Sequence, residues 1–227
     1  MAPRWWTLVA VCTGIFVLLL DITIVTVALP DIQRELDASL SDLQWVIDAY
    51  ALVLASLLLT AGSLADLYGR KRVFIIGIAL FGVGSALCGL APNVLALTLA
   101  RGAQGVGGAA MFATALALLA ATFTGRERGV AFGAFGAVTG VAVAIGPVAG
   151  GVLTSGLSWR WIFWVNLPIC LGAIILSLRT VDESKDPDAG RPDWIGFLTF
   201  SSALGLLVFG LIDAGCAGGA MASSSAP

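Results

Sequence analysis

The sequence predicts an all-α integral membrane protein, and three observations support that prediction. Of the 227 residues, 59% are hydrophobic and only 11% are charged, whereas a soluble domain carries about 25% charged residues. The mean hydropathy is +0.98. The apolar residues also fall into repeated runs of about 20 or more, which is the length that a helix needs to cross roughly 30 Å of hydrocarbon.

Seven membrane-spanning helices are predicted from these runs. Their approximate bounds are 5–29, 43–65, 73–91, 94–123, 129–154, 161–179 and 194–215. The first run continues past Asp21 without an A-x-A cleavage site, so we interpret it as a span and not as a signal peptide.

The links between the spans are short, except for residues 179–193, which are rich in Asp and Pro and are expected to form a solvated linker. The chain therefore divides into four parts: a six-helix bundle at 1–180, a linker at 181–193, a seventh span at 194–215 and a flexible tail at 216–227. An odd seventh helix followed by small and polar residues is typical of a truncated or frame-shifted product.

Basic residues predict the orientation in the membrane. With the N-terminus inside, nine of the 12 lysines and arginines lie on the cytoplasmic side: Arg4, Arg70, Lys71, Arg72, Arg126, Arg128, Arg179, Lys185 and Arg191. Arg34 and Arg160 lie outside. Because basic residues concentrate in cytoplasmic loops, we expect a multi-pass protein of the cytoplasmic membrane with its N-terminus in the cytoplasm.

The composition argues against a metal or haem centre. The chain has no histidine, and its four cysteines are scattered through apolar stretches without a CxxC pattern: Cys12, Cys88, Cys170 and Cys216. We expect no cofactor, and we interpret the cysteines as small buried hydrophobic residues. The net charge of −2 gives no indication of a nucleic-acid partner.

Three ionisable residues lie inside predicted spans, where charge is unfavourable and usually functional: Asp21, Asp48 and Arg101. A rise of about 1.5 Å per residue places all three roughly 9–13 Å below the outer surface. Burial and a nearby guanidinium move the pKa of a carboxyl group in opposite directions. An acid in this setting can exchange a proton near neutral pH, so proton coupling is predicted. A structural ion pair, or a snorkelling acid at Asp48, is the alternative.

Small residues form a second pattern. Span 5 carries a one-sided stripe of Gly129, Gly133, Gly136 and Gly140, followed by "GPVAGG" at 146–151. Such stripes let helices approach closely, and Pro147 tends to kink a helix. The spacing favours helix packing over a moving interface.

Two further stretches have polar or aromatic character. Span 4 places four residues on one face that suits a polar pathway: Arg101, Gln104, Gly105 and Gly108. The aromatic cluster "WRWIFWVNLP" at 159–168 is interpreted as an anchor at the membrane interface.

Four stretches together resemble motifs of the major facilitator superfamily, specifically its fourteen-span drug:proton antiporter branch. "GSLADLYGRKR" is similar to the loop 2–3 motif at Gly62, Leu64, Asp66, Gly69, Arg70 and Lys71. "LDITIVTVALPDI" is similar to the span 1 motif at Asp21, Thr23, Ile24, Val25, Ala28, Leu29 and Pro30. Thr26 and Leu67 depart from the two patterns, where the branch usually has Asn and often has Arg.

The other two motifs lie on spans 4 and 5. "LTLARGAQGVGGA" is similar to the span 4 motif at Arg101, Gln104, Gly105 and Gly107. "GVAVAIGPVAGG" is similar to the antiporter motif of span 5 at Gly140, Gly146, Pro147, Gly150 and Gly151. The resemblance covers about residues 14–215.

The resemblance implies a transporter, not an enzyme, that exports hydrophobic or cationic drugs or antibiotics in exchange for protons. Substrate would bind between two six-helix halves that rock against each other. The loop from Gly62 to Arg72 would act as a conformational latch, with Asp66 engaging a helix N-terminus in the second half. This chain contains one half, so the missing C-terminal half is an expected requirement for transport.

Two other functions remain open at the sequence level, an uptake symporter and an inactive stub or assembly partner, whereas the sequence opposes a third class, a seven-helix receptor or light-driven pump. An uptake symporter of the same superfamily is opposed by the span 5 motif. A retinal pump needs a lysine in its last helix, but Lys71 and Lys185 lie in loops. An inactive stub or an assembly partner fits a chain with one half.

Overall fold

The computed structural model describes residues 3–186, 194–196, 198–207 and 209–210. Its helices in chain order are α1 Pro3–Leu36, α2 Leu40–Tyr68, α3 Arg70–Gly89, α4 Val94–Thr122, α5 Gly125–Gly156, α6 Trp161–Trp164 and α7 Asn166–Thr180. Helices α6 and α7 are the two parts of one span. Six helices are therefore long and apolar enough to cross a membrane within the described ranges. The predicted all-α bundle of six spans is confirmed.

The predicted seventh span is only partly covered by the described residues. Residues 194–196, 198–207 and 209–210 are helical. Thr60 of α2 and Ser201 share a hydrogen bond of 2.9 Å, and the rings of Trp45 and Phe209 lie 5.5 Å apart. This part of the chain therefore lies along α2. The predicted tail at 216–227 lies outside the described residues.

The helices extend beyond the predicted spans at the α1–α2 link. Helix α1 contains Pro30 and runs to Leu36, because its end is set by backbone hydrogen bonds and not by the hydropathy that predicted an end near 29. Helix α2 begins at Leu40, where Ser39 and Asp42 form a reciprocal capping box. The pattern "SLSD" at 39–42 is the sequence signature of such a box, and it was not used in the prediction.

Helices α3 and α4 pack in close contact because glycines lie where they cross. A Cβ atom on Gly107 would lie 2.6 Å from the backbone oxygen of Gly77 and 2.8 Å from the Cα atom of Phe81. A Cβ atom on Gly84 would lie 2.7 Å from the Cα atom of Gln104. Backbone atoms cannot move aside as a flexible side chain does, so these positions require glycine.

Some glycines of α5 pack against α1, whereas others have no neighbour in the bundle. A Cβ atom on Gly150 would lie 3.1 Å from the backbone oxygen of Ile24 in α1, and Gly146 packs on Thr23. The predicted packing role is correct for these two. In contrast, no described atom lies within 4 Å of a Cβ atom placed on Gly129, Gly133, Gly136, Gly140 or Gly151. The predicted packing role of the stripe is therefore wrong within the described part, because α5 turns that face away from the bundle.

The aromatic cluster contains a core residue as well as a surface residue. Trp159 is only 1% exposed, and its Nε1 atom donates a hydrogen bond of 2.7 Å to Glu35 at the end of α1. Arg160 lies over the Trp159 ring, 4.4 Å from its centroid. It also donates to the carbonyl oxygen of Ala91. The prediction of an interface anchor is wrong for Trp159, which ties α1 to the α5–α6 link.

We expect Gly107→Ala to destabilise the bundle and Gly136→Ala to leave its stability unchanged or slightly higher. The added methyl group at Gly107 meets backbone atoms of α3, whereas the one at Gly136 meets no described atom. Alanine is favoured over glycine in a helix by about 1 kcal/mol. Thermal unfolding of the two purified variants in the same detergent measures the difference. Equal unfolding temperatures would contradict the described α3–α4 crossing.

Candidate functional site

A buried ion pair joins α1 to α4 in the interior of the bundle. The Nη1 atom of Arg101 lies 2.5 Å from the Oδ2 atom of Asp21, and the two side chains are 2% and 0% exposed. The structure thus brings together two of the three ionisable residues that the sequence predicted to lie at one depth.

The carboxylate of Asp21 has two further hydrogen-bond donors. Gln104 donates from Nε2 to Asp21 Oδ1 over 3.0 Å, and Asn166 donates from Nδ2 to the same oxygen over 2.8 Å. A buried charge is tolerated only when it is paired and hydrogen-bonded. These three donors meet that requirement, and they come from the two helices α4 and α7.

The guanidinium of Arg101 makes two further hydrogen bonds and a cation–π contact. Its Nη1 atom donates to Gln104 Oε1 over 2.6 Å, and its Nε atom donates to the backbone oxygen of Val46 over 3.3 Å. The Arg101 Cζ atom also lies 4.3 Å from the ring centroid of Tyr50, a cation–π contact. Arg101 therefore connects α1, α2 and α4 through one side chain.

Two further buried polar residues, Asn166 and Ser85, were not predicted from the sequence. Asn166 donates from Nδ2 to Ser85 Oγ over 2.9 Å, and Ser85 Oγ donates to the carbonyl oxygen of Phe163 over 2.9 Å. Both side chains are completely buried. The signal for Asn166 was present, since an amide inside an apolar span marks a functional candidate. The aromatic residues around it are also typical of an interface anchor, which is what the cluster was predicted to be.

We define the Asp21 network as Asp21, Arg101, Gln104, Asn166 and Ser85. One apolar cluster on one side of it includes Ile15, Leu18 and Phe81, and a second on the other side includes Ile24, Val46 and Leu97. Polar interactions are stronger in such a low-dielectric setting than in water.

Two polar atoms at the network have no partner within the described ranges. They are the hydroxyl oxygen of Tyr50 and the Oδ1 atom of Asn166. A buried polar atom that lacks a hydrogen bond costs about 1–3 kcal/mol. The Oδ1 atom of Asn166 is therefore a buried acceptor without a donor.

Asp48 does not join the network. Its side chain is partly exposed on α2, and no hydrogen bond or ion pair to it is found in the described part of the chain. The structure therefore separates Asp48 from Asp21 and Arg101. Its role in proton coupling stays a prediction.

The α4 face that was predicted to line a polar pathway is closed by α2 in this structure. A Cβ atom on Gly105 would lie 2.7 Å from the backbone oxygen of Tyr50. One on Gly108 would lie 2.8 Å from the Tyr50 hydroxyl oxygen. The two glycines thus serve the close approach of α2, while Arg101 and Gln104 point to Asp21. An open pathway along this face is not observed, because the small residues are covered.

The predicted latch loop is a link of a single residue between α2 and α3. Gly69 caps both helices with φ +114°, a left-handed conformation that side-chain-bearing residues rarely adopt. Across it, Arg70 Nη2 lies 2.7 Å from Asp66 Oδ1. The predicted contact between this acid and base is present. Gly62 lies further into α2, where a Cβ atom would just reach Ala113.

The start of the predicted linker makes hydrogen bonds and an ion pair with this loop. Glu183 Oε1 accepts a hydrogen bond of 3.0 Å from the Lys71 backbone nitrogen, and Glu183 Oε2 lies 3.6 Å from Arg72 Nε. The backbone nitrogen of Arg70 donates to the Ser184 oxygen over 2.9 Å. The free N–H groups and positive dipole end at the start of α3 attract the carboxylate. Glu183 is exposed and Ser184 is half-buried, so these residues contact solvent as predicted, but they are also tied to the start of α3, which was not predicted.

Two solved structures have a similar fold. The peptide transporter POT matches with a TM-score of 0.72 at 13% identity, over 91% of this chain and 45% of that one. An inward-facing bacterial homologue of the human lysosomal transporter Spinster matches with a TM-score of 0.61 at 21% identity, over 85% and 47%. At these identities the likeness concerns the fold alone.

The sequence itself shows the family. The profile of the Major Facilitator Superfamily matches residues 11–226, and the chain belongs to this superfamily. Among its relatives, multidrug resistance protein Stp of Mycobacterium tuberculosis is 45% identical over 208 residues, covering 91% of this chain and 39% of that protein. Puromycin resistance protein pur8 of Streptomyces alboniger is 43% identical over 212 residues, covering 93% and 42%.

A third relative has a similar extent. The tetracenomycin C resistance and export protein of Streptomyces glaucescens is 40% identical over 211 residues, covering 92% of this chain and 39% of its own. The family predicted from the four motifs is confirmed. The chain spans about two fifths of the length of these relatives.

Removal of one member of the buried ion pair is expected to destabilise the fold more than removal of both charges. Arg101→Met leaves the Asp21 carboxylate buried without its cation, a change that typically costs about 3–5 kcal/mol. Asp21→Asn together with Arg101→Met leaves no buried charge, and part of the loss should be recovered. Unfolding of both variants in mixed detergent measures this. A double variant as unstable as Arg101→Met would show that the two charges are not coupled.

Proposed function

We propose that this chain is part of a proton-coupled antiporter that exports hydrophobic or cationic drugs or antibiotics. The observation that supports this most strongly is the Asp21 carboxylate, buried beside Arg101 and hydrogen-bonded by residues of α4 and α7. The resistance and export functions in the names of the relatives support the substrate class and the direction. The proposed location is the cytoplasmic membrane, with the N-terminus inside.

In the proposed mechanism, Asp21 gains and loses the proton while Arg101 stays charged. A guanidinium does not lose its proton in proteins, so only the carboxyl changes its charge. Protonation removes the attraction between α1 and α4. Arg101 keeps its contacts with Val46, Tyr50 and Gln104, so α4 stays attached to α2. The expected effect of proton binding is therefore to loosen α1 from the rest of the bundle.

Antiport requires that proton and drug binding oppose each other. Coupling of this kind is reciprocal, so a drug that favours the arrangement with ionised Asp21 releases the proton. The drug would bind between this bundle and a second half, as transporters of this architecture bind substrate near the midplane. The second half, the drug and the proton are thus the proposed partners, and no cofactor is needed beyond the proton gradient.

We further propose that the α2–α3 link acts as the conformational latch, with Asp66, Gly69, Arg70, Lys71 and Arg72 as its residues. Asp66 is already paired with Arg70. An incoming helix N-terminus from a second half would compete with that arginine for the carboxylate. The exchange of one partner for the other is what would open and close the latch.

We expect Asp21→Asn to abolish drug-driven proton movement, while Asp48→Asn retains most of it. Both substitutions replace a carboxylate by an amide, but of the two residues only Asp21 belongs to the Asp21 network. The full-length protein is reconstituted in vesicles that contain a pH-sensitive dye, and proton flux is recorded on addition of drug. Arg101→Ala should impair flux more than it reduces the amount of folded protein.

Two results would contradict the proposal. Wild-type flux in Asp21→Asn, at matched amounts of folded protein, would remove this carboxyl from the coupling mechanism. Drug-driven flux that is lost in Asp48→Asn but retained in Asp21→Asn would move the coupling site to α2.

A further inference from the structure

We propose that Asn166 is a positioning residue that follows the protonation state of Asp21 by turning its side-chain amide. This inference rests on the proposed function, because it assumes that Asp21 exchanges a proton. Asn166 lies outside the four motifs, and its completely buried amide leaves the Oδ1 atom without a partner in the described part.

The hydrogen bonds around Ser85 fix the present orientation of the amide. The Ser85 hydroxyl has a single hydrogen, which it donates to the Phe163 carbonyl oxygen. Its oxygen can then only accept, so the Asn166 group that faces it must be a donor. The Nδ2 atom is such a donor, and its two hydrogens are donated to Ser85 Oγ and Asp21 Oδ1. The Oδ1 atom is left on the other side of the amide.

This orientation suits an ionised Asp21 only. A carboxylate accepts hydrogen bonds and donates none, whereas a protonated carboxyl also donates one. Asp21 Oδ2 faces Arg101, which has no acceptor, so a proton that arrives from the medium is accommodated on Oδ1. That oxygen now faces the donors Gln104 and Asn166. The acid proton therefore needs an acceptor in the place of one of them.

Asn166 can supply that acceptor and Gln104 cannot. The Oε1 atom of Gln104 accepts from Arg101, a group that only donates, and a turn of the Gln104 amide would place two donors face to face. A half-turn of the Asn166 amide brings Oδ1 to Asp21 Oδ1 and Ser85 Oγ. The Ser85 hydroxyl is a rotor and can donate to Asn166 in that state. The same side chain can therefore pair with Asp21 in both protonation states, and the turn breaks the hydrogen bond from Ser85 to the Phe163 carbonyl oxygen.

Among the residues that the structure describes, no other titratable group is placed to replace Asp21 in this switch. The groups that interact with it are Arg101 of α4, Tyr50 of α2, Cys88 of α3 and Cys170 of α7. A phenol and two thiols ordinarily remain neutral at physiological pH, and Arg101 stays charged. The described residues of α6 include no titratable side chain, and the charged residues of α5, 126–128, lie near its first turn.

Because of the position of Asn166, rotation of its side-chain amide affects contacts between several helices. It is the first residue of α7, directly after the break at Val165. Through Ser85 it is connected to α3 and to Phe163 in α6. A turn of this amide therefore exchanges hydrogen bonds between α1, α3 and the α6–α7 span when the proton binds.

The chain contains two asparagines, Asn93 and Asn166, which makes a direct test possible. The full chain is made by cell-free synthesis with ¹⁵Nδ2-asparagine and ¹³Cγ-aspartate and placed in lipid bilayers. Solid-state NMR then measures the dipolar coupling between Asn166 ¹⁵Nδ2 and Asp21 ¹³Cγ as the pH is lowered. Asn93, the cap of α4, is the internal control. We expect a strong coupling at alkaline pH that is lost as the Asp21 signal titrates.

The outcomes separate this inference from the proposed function. If the Asp21 ¹³Cγ signal titrates while the coupling stays constant, the inference about Asn166 is wrong and the proton site stands. If the Asp21 signal does not titrate, both are wrong. Asp21→Asn must abolish every pH-dependent change of the Asn166 ¹⁵N signal, and a change that persists there overturns the inference. Asn166→Leu, with neither donor nor acceptor, is expected to shift the titration midpoint of Asp21, and an unshifted midpoint would also overturn it.

Discussion

The rest of this structure depends on the burial of one carboxylate beside one guanidinium. Asp21 and Arg101 have almost no contact with solvent, so every lone pair and every N–H group needs a partner inside the protein. Those partners come from α2, α4 and α7, through Val46, Gln104 and Asn166, and Ser85 of α3 in turn accepts a hydrogen bond from Asn166. The pair thus fixes how these helices approach α1. If Asp21 is protonated, as proposed, the electrostatic attraction between Asp21 and Arg101 is lost, and it no longer opposes the separation of α1 from these helices.

Close helix packing makes this burial possible. Glycines at the α3–α4 crossing and at the α2 face of α4 let backbones approach to distances that a methyl group would prevent. The approach leaves little room for water around the ion pair, and electrostatic interactions gain strength there. At the far end from the α1–α2 link, Glu183 binds the start of α3 and fixes the linker to the one-residue turn at Gly69.

The sequence predicted the features that depend on composition and on single residue types. Six spans followed from apolar length, and the pairing of Asp21 with Arg101 followed from their common depth in the membrane. Asn166 carried a signal, an amide inside an apolar span, but its aromatic neighbours favoured an interface anchor. Ser85 and Glu183 escaped prediction because their importance comes from which helices pack together. The failed prediction for Gly129 and Gly133 has the same cause, since a small-residue stripe does not reveal which face of α5 meets a neighbour. Trp159 was misjudged because aromatic residues suit both membrane interfaces and cores.

The most direct test of the central claim is whether Asp21 binds a proton in the folded protein. Infrared difference spectra between alkaline and acidic pH resolve the carbonyl stretch of a protonated carboxyl group. The account predicts a band that appears on acidification in the wild-type protein and in Asp48→Asn, and that is missing in Asp21→Asn. If the Asp21→Asn spectrum matches the wild-type spectrum, Asp21 does not change its protonation state between alkaline and acidic pH, and the buried ion pair is structural.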